Sequence, residues 1–396
     1  MTENFIEKYT LYLNPFQERW DEVVALTHDE LSWKMSTHDY QSYLDGYGRY
    51  NFQFLVAVDK ATDKAAACIS GARIKSVDGS PEVFNIGMFY THPDHRNNGL
   101  GKKLFSELVR CAGDVNMFLN AAPLMSQKYA EQSGFDKFAN WELKVIVAEA
   151  KDCDLTKVPV DDTVNVVDYV DVDIDKLVEY DKSIGGGVYR KKFLQKFLTQ
   201  PDCWNKFALN ESGDVIGICN ARIVYGNHVC LGPFYADSPS IASTLMRRTL
   251  ELVYKLPERN EVMILLPHDN TKAMEMFSRM ANGKVETDMS MPRQFSGRVI
   301  NSPSGKVFSI TEYDTSFAIA AALMVGTLEK VPNLADRNDL FSFMSSVNHD
   351  GIELFKTMIS GEVNMEGFMR RQFDKKVIET DGQRVYGTTE TDTSLI

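Results

Sequence analysis

The residues best suited to chemistry cluster between positions 83 and 102. Arg96-Asn97-Asn98-Gly99-Leu100-Gly101-Lys102 brings a guanidinium, two carboxamides, an ammonium group and two glycines together. A helix starting at this point offers main-chain N–H groups with no internal partner, at the positive end of its dipole. Glycine lets a bulky anion approach those N–H groups closely. Arg96, one turn upstream, can add a charge-assisted contact to a phosphate. The set suits a pyrophosphate.

The flanking pattern supplies the elements that would hold this set. Residues 83–91 (Val-Phe-Asn-Ile-Gly-Met-Phe-Tyr-Thr) are rich in β-branched and aromatic types and read as a strand. Pro93, Asp94 and residues 97–99 are turn formers. Leu100, Leu104 and Leu108 then recur every fourth residue beside Phe105 and Val109, one apolar helical face. A second strand (115–120) follows, then a helix ending at Gly134-Phe135.

In this order, Arg96-x-x-Gly99-x-Gly101 and its flanking elements resemble the acyl-CoA-binding signature of the GNAT acetyltransferase superfamily. The resemblance covers roughly residues 5–147 and includes the closing Gly134-Phe135. It implies an α/β fold of the α+β mixed-sheet GNAT type, with acetyl-CoA or another acyl-CoA as co-substrate. By the same resemblance, Arg96, Asn97, Asn98, Gly99, Leu100, Gly101 and Lys102 bind the pyrophosphate. Phe89, Tyr90 and Thr91 pair with the pantetheine arm as if it were an added strand, and the acyl group passes to an amine.

The family's acid is usually a tyrosine four residues before the closing glycine. That position is Ala130 here, and Tyr129 stands one residue off. Tyr129 is therefore the candidate acid, with a core or rim role as the alternative. For a base, Glu82 and Asn85 lie on or beside the strand, but a carboxamide cannot accept the proton. His92 and His95 flank the turn and are expected to face phosphates. No third ligand stands near this H-x-x-H pair and Pro93 blocks a helix, so no metal is expected. By the same resemblance, the tyrosine-rich stretch 38–50 would line the acceptor side, where Asp39 or Asp45 could pair with an amine. The alternative is that its rings cap the core and the aspartates face solvent.

The second half repeats the first in diverged form. Leu231-Gly232-Pro233-Phe234-Tyr235-Ala236 matches Ile86-Gly87-Met88-Phe89-Tyr90-Thr91. A hairpin (207–209 and 215–222) precedes it. An amphipathic helix with Ile241, Ala242, Leu245, Leu252 and Val253 follows, then a strand at 262–266 and a helix with Ala273, Met276 and Phe277. Arg96, Asn97 and Gly99 have no counterparts, the turn is about four residues shorter, and Asp237 would repel a phosphate. No CoA is expected against residues 237–242. The run Gly185-Gly186-Gly187 reads as a hinge or a binding loop.

These readings give residues 1–150 as a first, acyl-CoA-binding domain and 151–163 as an acidic linker. Residues 164–314 form a second, degenerate GNAT-like domain, opened by a strand at 164–170 and closed by one at 307–313. Residues 315–396 form a mostly helical extension with a polar tail. A chain of 396 residues exceeds one ordinary core, in keeping with two domains. Its 44% hydrophobic and 25% charged content are those of a globular protein. A net charge of −12 without a basic stripe argues against nucleic acid as a partner. The longest apolar run, 317–328, is about half the ~20 residues of a membrane span, so no membrane is expected. Six scattered cysteines and an N-terminus lacking a basic-then-apolar run set the expectation of a reducing, cytoplasmic setting. The expected activity is N-acyl transfer from acyl-CoA to a small-molecule amine. The alternative is a non-catalytic acyl-CoA-binding or scaffolding protein of the same fold.

Overall fold

A computed structural model describes residues 8–311 of the chain. The first half starts with strand β1 (Tyr9–Leu13) and helices α1 (Gln17–Leu31) and α2 (Asp39–Tyr47). Strands β2 (Phe52–Asp59), β3 (Lys64–Ile74) and β4 (Val83–Thr91) follow as antiparallel neighbours. Helix α3 (Leu100–Ala112) leads to β5 (Asn116–Asn120), helix α4 (Pro123–Ser133) and the long β6 (Lys137–Glu149). The second half has β7 (Asn165–Val167), helices α5 (Ile174–Ile184) and α6 (Lys191–Phe197), and strands β8 (Cys203–Leu209), β9 (Val215–Val224) and β10 (His228–Ala236). It closes with α7 (Pro239–Leu250), β11 (Glu261–Pro267), α8 (Thr271–Met280), β12 (Glu286–Phe295) and β13 (Val307–Ser309).

The thirteen strands among the described residues join in one mixed sheet, in the order β1-β2-β3-β4-β5-β12-β6-β11-β10-β9-β8-β7, with β13 on β10. The two halves therefore exchange strands. β12, from the far end of the second half, lies between β5 and β6, while β6 pairs with β11 over seven residues, Glu149↔Glu261 to Leu143↔Pro267. Neither half closes its sheet alone.

Helices cover both faces. On one face α3 and α4 bury Leu100, Leu104, Leu108 and Phe135 against β2 to β5, and α7 and α8 bury Leu245, Met246 and Phe277 against β9 to β11. Each such side chain removed from water contributes about 1.5–3 kcal/mol. On the other face α1, α2, α5 and α6 share one core that spans both halves. Tyr43 stacks on Phe193 and Phe197 of α6, and the fully buried Asp39 carboxylate pairs with Arg222 of β9.

The strand expected at 164–170 is shorter, because Tyr169–Asp171 is a 3-10 turn. The helix expected to reach Val253 ends at Leu250. Of the strand expected at 307–313, Val307–Ser309 is strand, and Tyr313 lies outside the described residues, as do the N-terminus and the extension expected at 315–396. Helices α5 and α6 and strand β12 had no sequence-based expectation. β12 carries Pro292 and two register irregularities, so its pattern lacks the clean alternation that marks a strand. Gly186 sits in a packed turn: at φ +64°, an added Cβ would come within 2.3 Å of Ile300.

Candidate functional site

The site grows out of the end of β4. This strand pairs in parallel with β5 only through Val83↔Asn116, Phe84↔Met117 and Asn85↔Phe118. Beyond Asn85 the pairing stops, and β4 carries a bulge opposite β3 where Met88 adopts φ 48°. A bulge bends and twists its strand. The result is a splay in which the Phe89–Thr91 edge toward β5 has no ladder partner. Among the described residues, no strand lies between β4 and β5 there. An extended ligand could fill that edge by strand addition.

At the mouth of the splay the chain turns through residues 92–99 into α3. Asn97 and Gly99 have positive φ, 61° and 85°, the kind of turn that gathers N–H groups into an anion-binding concavity. Gly99 has open space around an added Cβ, whereas one at Gly101 would stand 2.8 Å from Thr91 Oγ1 and 3.2 Å from the Phe89 ring. Gly101 thus lets α3 start directly against the end of β4. Arg96 donates from Nε to the Thr91 carbonyl at 2.9 Å, which fixes its guanidinium at the junction of strand and turn. Asn98 is already engaged. Its Oδ1 accepts from Leu100 N at 3.0 Å and its Nδ2 donates to Tyr9 Oη at 2.8 Å, so it braces the turn against β1. Leu100 itself is fully buried. Phe89 packs 5.6 Å from the Phe105 ring.

Tyr129 lies on α4 with its ring 5.4 Å from Phe105. Its hydroxyl is buried without a hydrogen-bond partner, and burial alone pushes its pKa up. An orphaned buried hydroxyl costs about 1–3 kcal/mol, so it suits a partner that a ligand would bring. Two features would suit an acyl-CoA, the positive-φ glycine turn and the splayed strand edge.

Other candidates are occupied elsewhere. Asp39 is not an amine partner, because Arg222 takes its carboxylate inside the core between the halves. Asp45 lies 3.9 Å from Lys196 and accepts from Gln41. Glu82 is bound to Arg73 at 2.9 Å, and that arginine also caps the carbonyls of Cys111 and Ala112 at the end of α3. His95 Nδ1 meets Tyr9 Oη at 3.0 Å, and burial lowers its pKa first, with Lys8 adding to the effect. His92 Nε2 lies 3.9 Å from Glu30. Among the described residues, no group of three or more His, Cys, Asp or Glu could hold a metal.

The corresponding place in the second half is closed. β10 pairs with β11 only at Val229↔Val262 and Cys230↔Met263, then splays as β4 does. Here β13 fills the gap. Phe234↔Ser309 and Tyr235↔Val307 pair it with β10, Ile310 N donates to Leu265 O at 2.7 Å, and Ser309 Oγ donates to Leu231 O at 2.6 Å. Gly232 allows the fit, since an added Cβ would stand 2.1 Å from Ile310 O. Only residues 237 and 238 separate β10 from α7, Pro239 has no N–H, and Ser238 Oγ accepts from Ile241 N at 3.3 Å. Asp237 pairs with Lys306 at 3.0 Å. Sequence reasoning found the degraded turn but not the wedge, whose only local signal was a short apolar run after Gly305.

Residues 20–135 match the Acetyltransferase (GNAT) family model, and residues 177–309 match the Acetyltransferase (GNAT) domain model. The chain carries two GNAT domains in tandem. Three solved structures share its mixed-sheet fold. A candidate acetyltransferase from Pyrococcus horikoshii aligns with TM-score 0.55 at 18% identity, over 78% of this chain and 96% of its own. A tandem GNAT protein from the clavulanic acid biosynthesis pathway aligns with TM-score 0.51 at 14% identity, over 74% and 99%. The N-myristoyltransferase of Saccharomyces cerevisiae, solved with myristoyl-CoA and inhibitors, aligns with TM-score 0.51 at 12% identity, over 77% and 87%. By sequence, the uncharacterised protein F36G3.2 of Caenorhabditis elegans is 26% identical over 190 residues, 46% of this chain and 59% of that relative. The match thus spans somewhat over half the relative's length. The family matches support acyl transfer as the general chemistry. No helix among the described residues is long and apolar enough to cross a membrane.

Proposed function

We propose that the first GNAT domain binds acetyl-CoA or another acyl-CoA and transfers the acyl group to a small-molecule amine. The observation that carries this reading is the contrast between two equivalent splays: β4/β5 keeps an unpaired edge beside a glycine turn, while β10/β11 is wedged by β13. In the reading, the turn at Arg96 to Lys102 takes the pyrophosphate and the Phe89–Thr91 edge takes the pantetheine arm. The neutral amine attacks the thioester carbonyl, a C–N bond forms, and the C–S bond breaks. The amine's proton leaves to solvent or a base, and the thiolate gains a proton, for which the Tyr129 hydroxyl is the donor that the family resemblance singles out. Main-chain N–H groups of the bulged strand would stabilise the oxyanion. The second domain completes the shared sheet and walls the acceptor side. A reducing, cytoplasmic setting is part of the reading, in keeping with six free thiols.

The test is chromatographic quantification of CoA released from acetyl-CoA across a panel of amines. Acceptor-dependent release supports the enzyme. Tight acetyl-CoA binding with no release on any amine favours a non-catalytic acyl-CoA-binding protein and refutes the catalytic reading.

A further inference from the structure

The glycine turn is held from behind by a chain of three side chains. Asn98 stands between the two left-handed residues, Asn97 at φ 61° and Gly99 at φ 85°. Its Oδ1 accepts from Leu100 N at 3.0 Å, which fixes the amide so that Nδ2 donates to Tyr9 Oη at 2.8 Å. The Tyr9 oxygen thus accepts one hydrogen bond and can direct its own O–H at His95 Nδ1, 3.0 Å away. That polarity places the histidine's proton on Nε2, the nitrogen 3.8 Å from Asp59 Oδ2. Donation runs one way, from Asn98 through Tyr9 to His95. Burial first, and Lys8 second, lower the His95 pKa, which keeps Nδ1 an acceptor at neutral pH.

The far end of this chain is anchored in the sheet. Tyr9 is 4% exposed, and its backbone stands opposite Asp59 of β2. The other Asp59 oxygen accepts from Ala61 N at 2.8 Å. His95 N donates to His92 O at 2.9 Å and His92 N to Ala66 O at 2.9 Å, so the histidine leaves from backbone tied to β3. The Tyr9 and His95 rings meet edge-on, 5.6 Å apart at 74°. His95 therefore turns its two nitrogens to β1 and β2, away from the role of a phosphate ligand. The near end is the part that needs holding. A positive φ at Asn97 costs free energy and persists where the surroundings impose it. An anion site made of main-chain N–H groups binds well only when those groups are in place before the ligand arrives.

We propose that His95 is a positioning residue for the acyl-CoA. Acting through Tyr9, it fixes Asn98 and with it the turn whose N–H groups receive the pyrophosphate. This rests on the acyl-CoA reading of the turn and adds residues that set its affinity without touching the ligand. β1, more than 80 residues upstream of the turn, is then part of the binding apparatus.

The test is calorimetric titration of acetyl-CoA into the full chain at pH 8. Tyr9→Phe deletes one oxygen and His95→Leu deletes the acceptor. Each should weaken binding about fivefold, the worth of one hydrogen bond. Because both break the same chain, the double variant should be no weaker than either alone by more than about twofold. His95→Asn puts a carboxamide oxygen where Nδ1 stood and should bind within about twofold of wild type. Without ligand, amide exchange across residues 97–103 should quicken in Tyr9→Phe and His95→Leu and return toward wild type in His95→Asn. Tyr9→Phe binding as tightly as wild type overturns the proposal, and that comparison stands even if His95→Leu does not fold. So does an additive, roughly 25-fold loss in the double variant, or a His95→Asn protein as weak as His95→Leu. In each of these cases wild type still binds acetyl-CoA, and the donor site stands. If wild type itself gives no binding, the donor reading has failed and this proposal falls with it.

Discussion

Replacing Arg96 with alanine tests the cradle most directly. Arg96 Nε is committed to the Thr91 carbonyl at 2.9 Å, so the side chain is held at the mouth of the turn before any ligand arrives. A hydrogen bond to a charged group contributes about 1.5–3 kcal/mol. Taking about 2 kcal/mol for one guanidinium–phosphate contact, Arg96→Ala should weaken acetyl-CoA roughly 30-fold. At a ligand concentration 100 times the wild-type Kd, binding stabilises the native state by about 2.7 kcal/mol. The same concentration stabilises the variant by only about 0.9 kcal/mol. At about 2 °C per kcal/mol for a chain of this size, the ligand-induced rise in melting temperature should fall from about 5 °C to about 2 °C. The assay is a pair of thermal scans, with and without acetyl-CoA, for each protein. Loss of the Thr91 contact also lowers the ligand-free midpoint, and subtraction within each protein removes that effect. A wild-type rise that Arg96→Ala reproduces to within about 1 °C would refute the placement of the pyrophosphate.

Three further outcomes follow from the geometry. Tyr129→Phe removes an orphaned buried hydroxyl and should raise ligand-free stability by about 1 kcal/mol while slowing acyl transfer; unchanged turnover would remove Tyr129 from the chemistry. Asp39→Asn leaves the Arg222 charge buried and should cost about 3–5 kcal/mol, read as a lower thermal midpoint. A paired Asp39→Leu, Arg222→Met variant should recover much of that loss if the cost is electrostatic. His228 lies beside Glu261 at 3.0 Å, with Lys34 also on that carboxylate at 2.9 Å, and its pKa is pushed down to about 4, first by burial and then by Lys34. Since the unfolded histidine titrates near 6.5, its neutral form supports the fold fully above pH 6.5, and that support is lost as pH falls toward 4. His228→Gln should flatten the thermal midpoint over that window, and an unchanged slope would assign the pH dependence to other groups.

The strand, glycine turn and helix at 83–112 were legible in the sequence because everything that specifies them is local. The β-branched and aromatic content of residues 83–91, the turn formers at 97–99, and the four-residue recurrence of Leu100, Leu104 and Leu108 each act within a few residues. The repeat at 231–236 and the loss of the cradle before α7 were legible for the same reason. A missing arginine, a shortened turn and an added aspartate are facts about residue types. Even the close approach at Gly101 follows from glycine's lack of a side chain, although only the structure shows that Thr91 and Phe89 are what it approaches.

Tertiary structure alone decided which strands belong together. β12 carries a proline and broken alternation, and its place between β5 and β6 depends on edges some 150 residues away in sequence. Asp39 beside a run of tyrosines reads equally as an amine partner or a solvent-facing charge. What fixes it is Arg222, buried opposite it from the other half. The clearest case is the two splays. In sequence they look like the same strand repeated, with a poorer turn in the second copy. In the fold one keeps a free edge and the other is filled by β13, because a backbone edge is satisfied by whichever partner reaches it, and the local sequence does not record which partner that is.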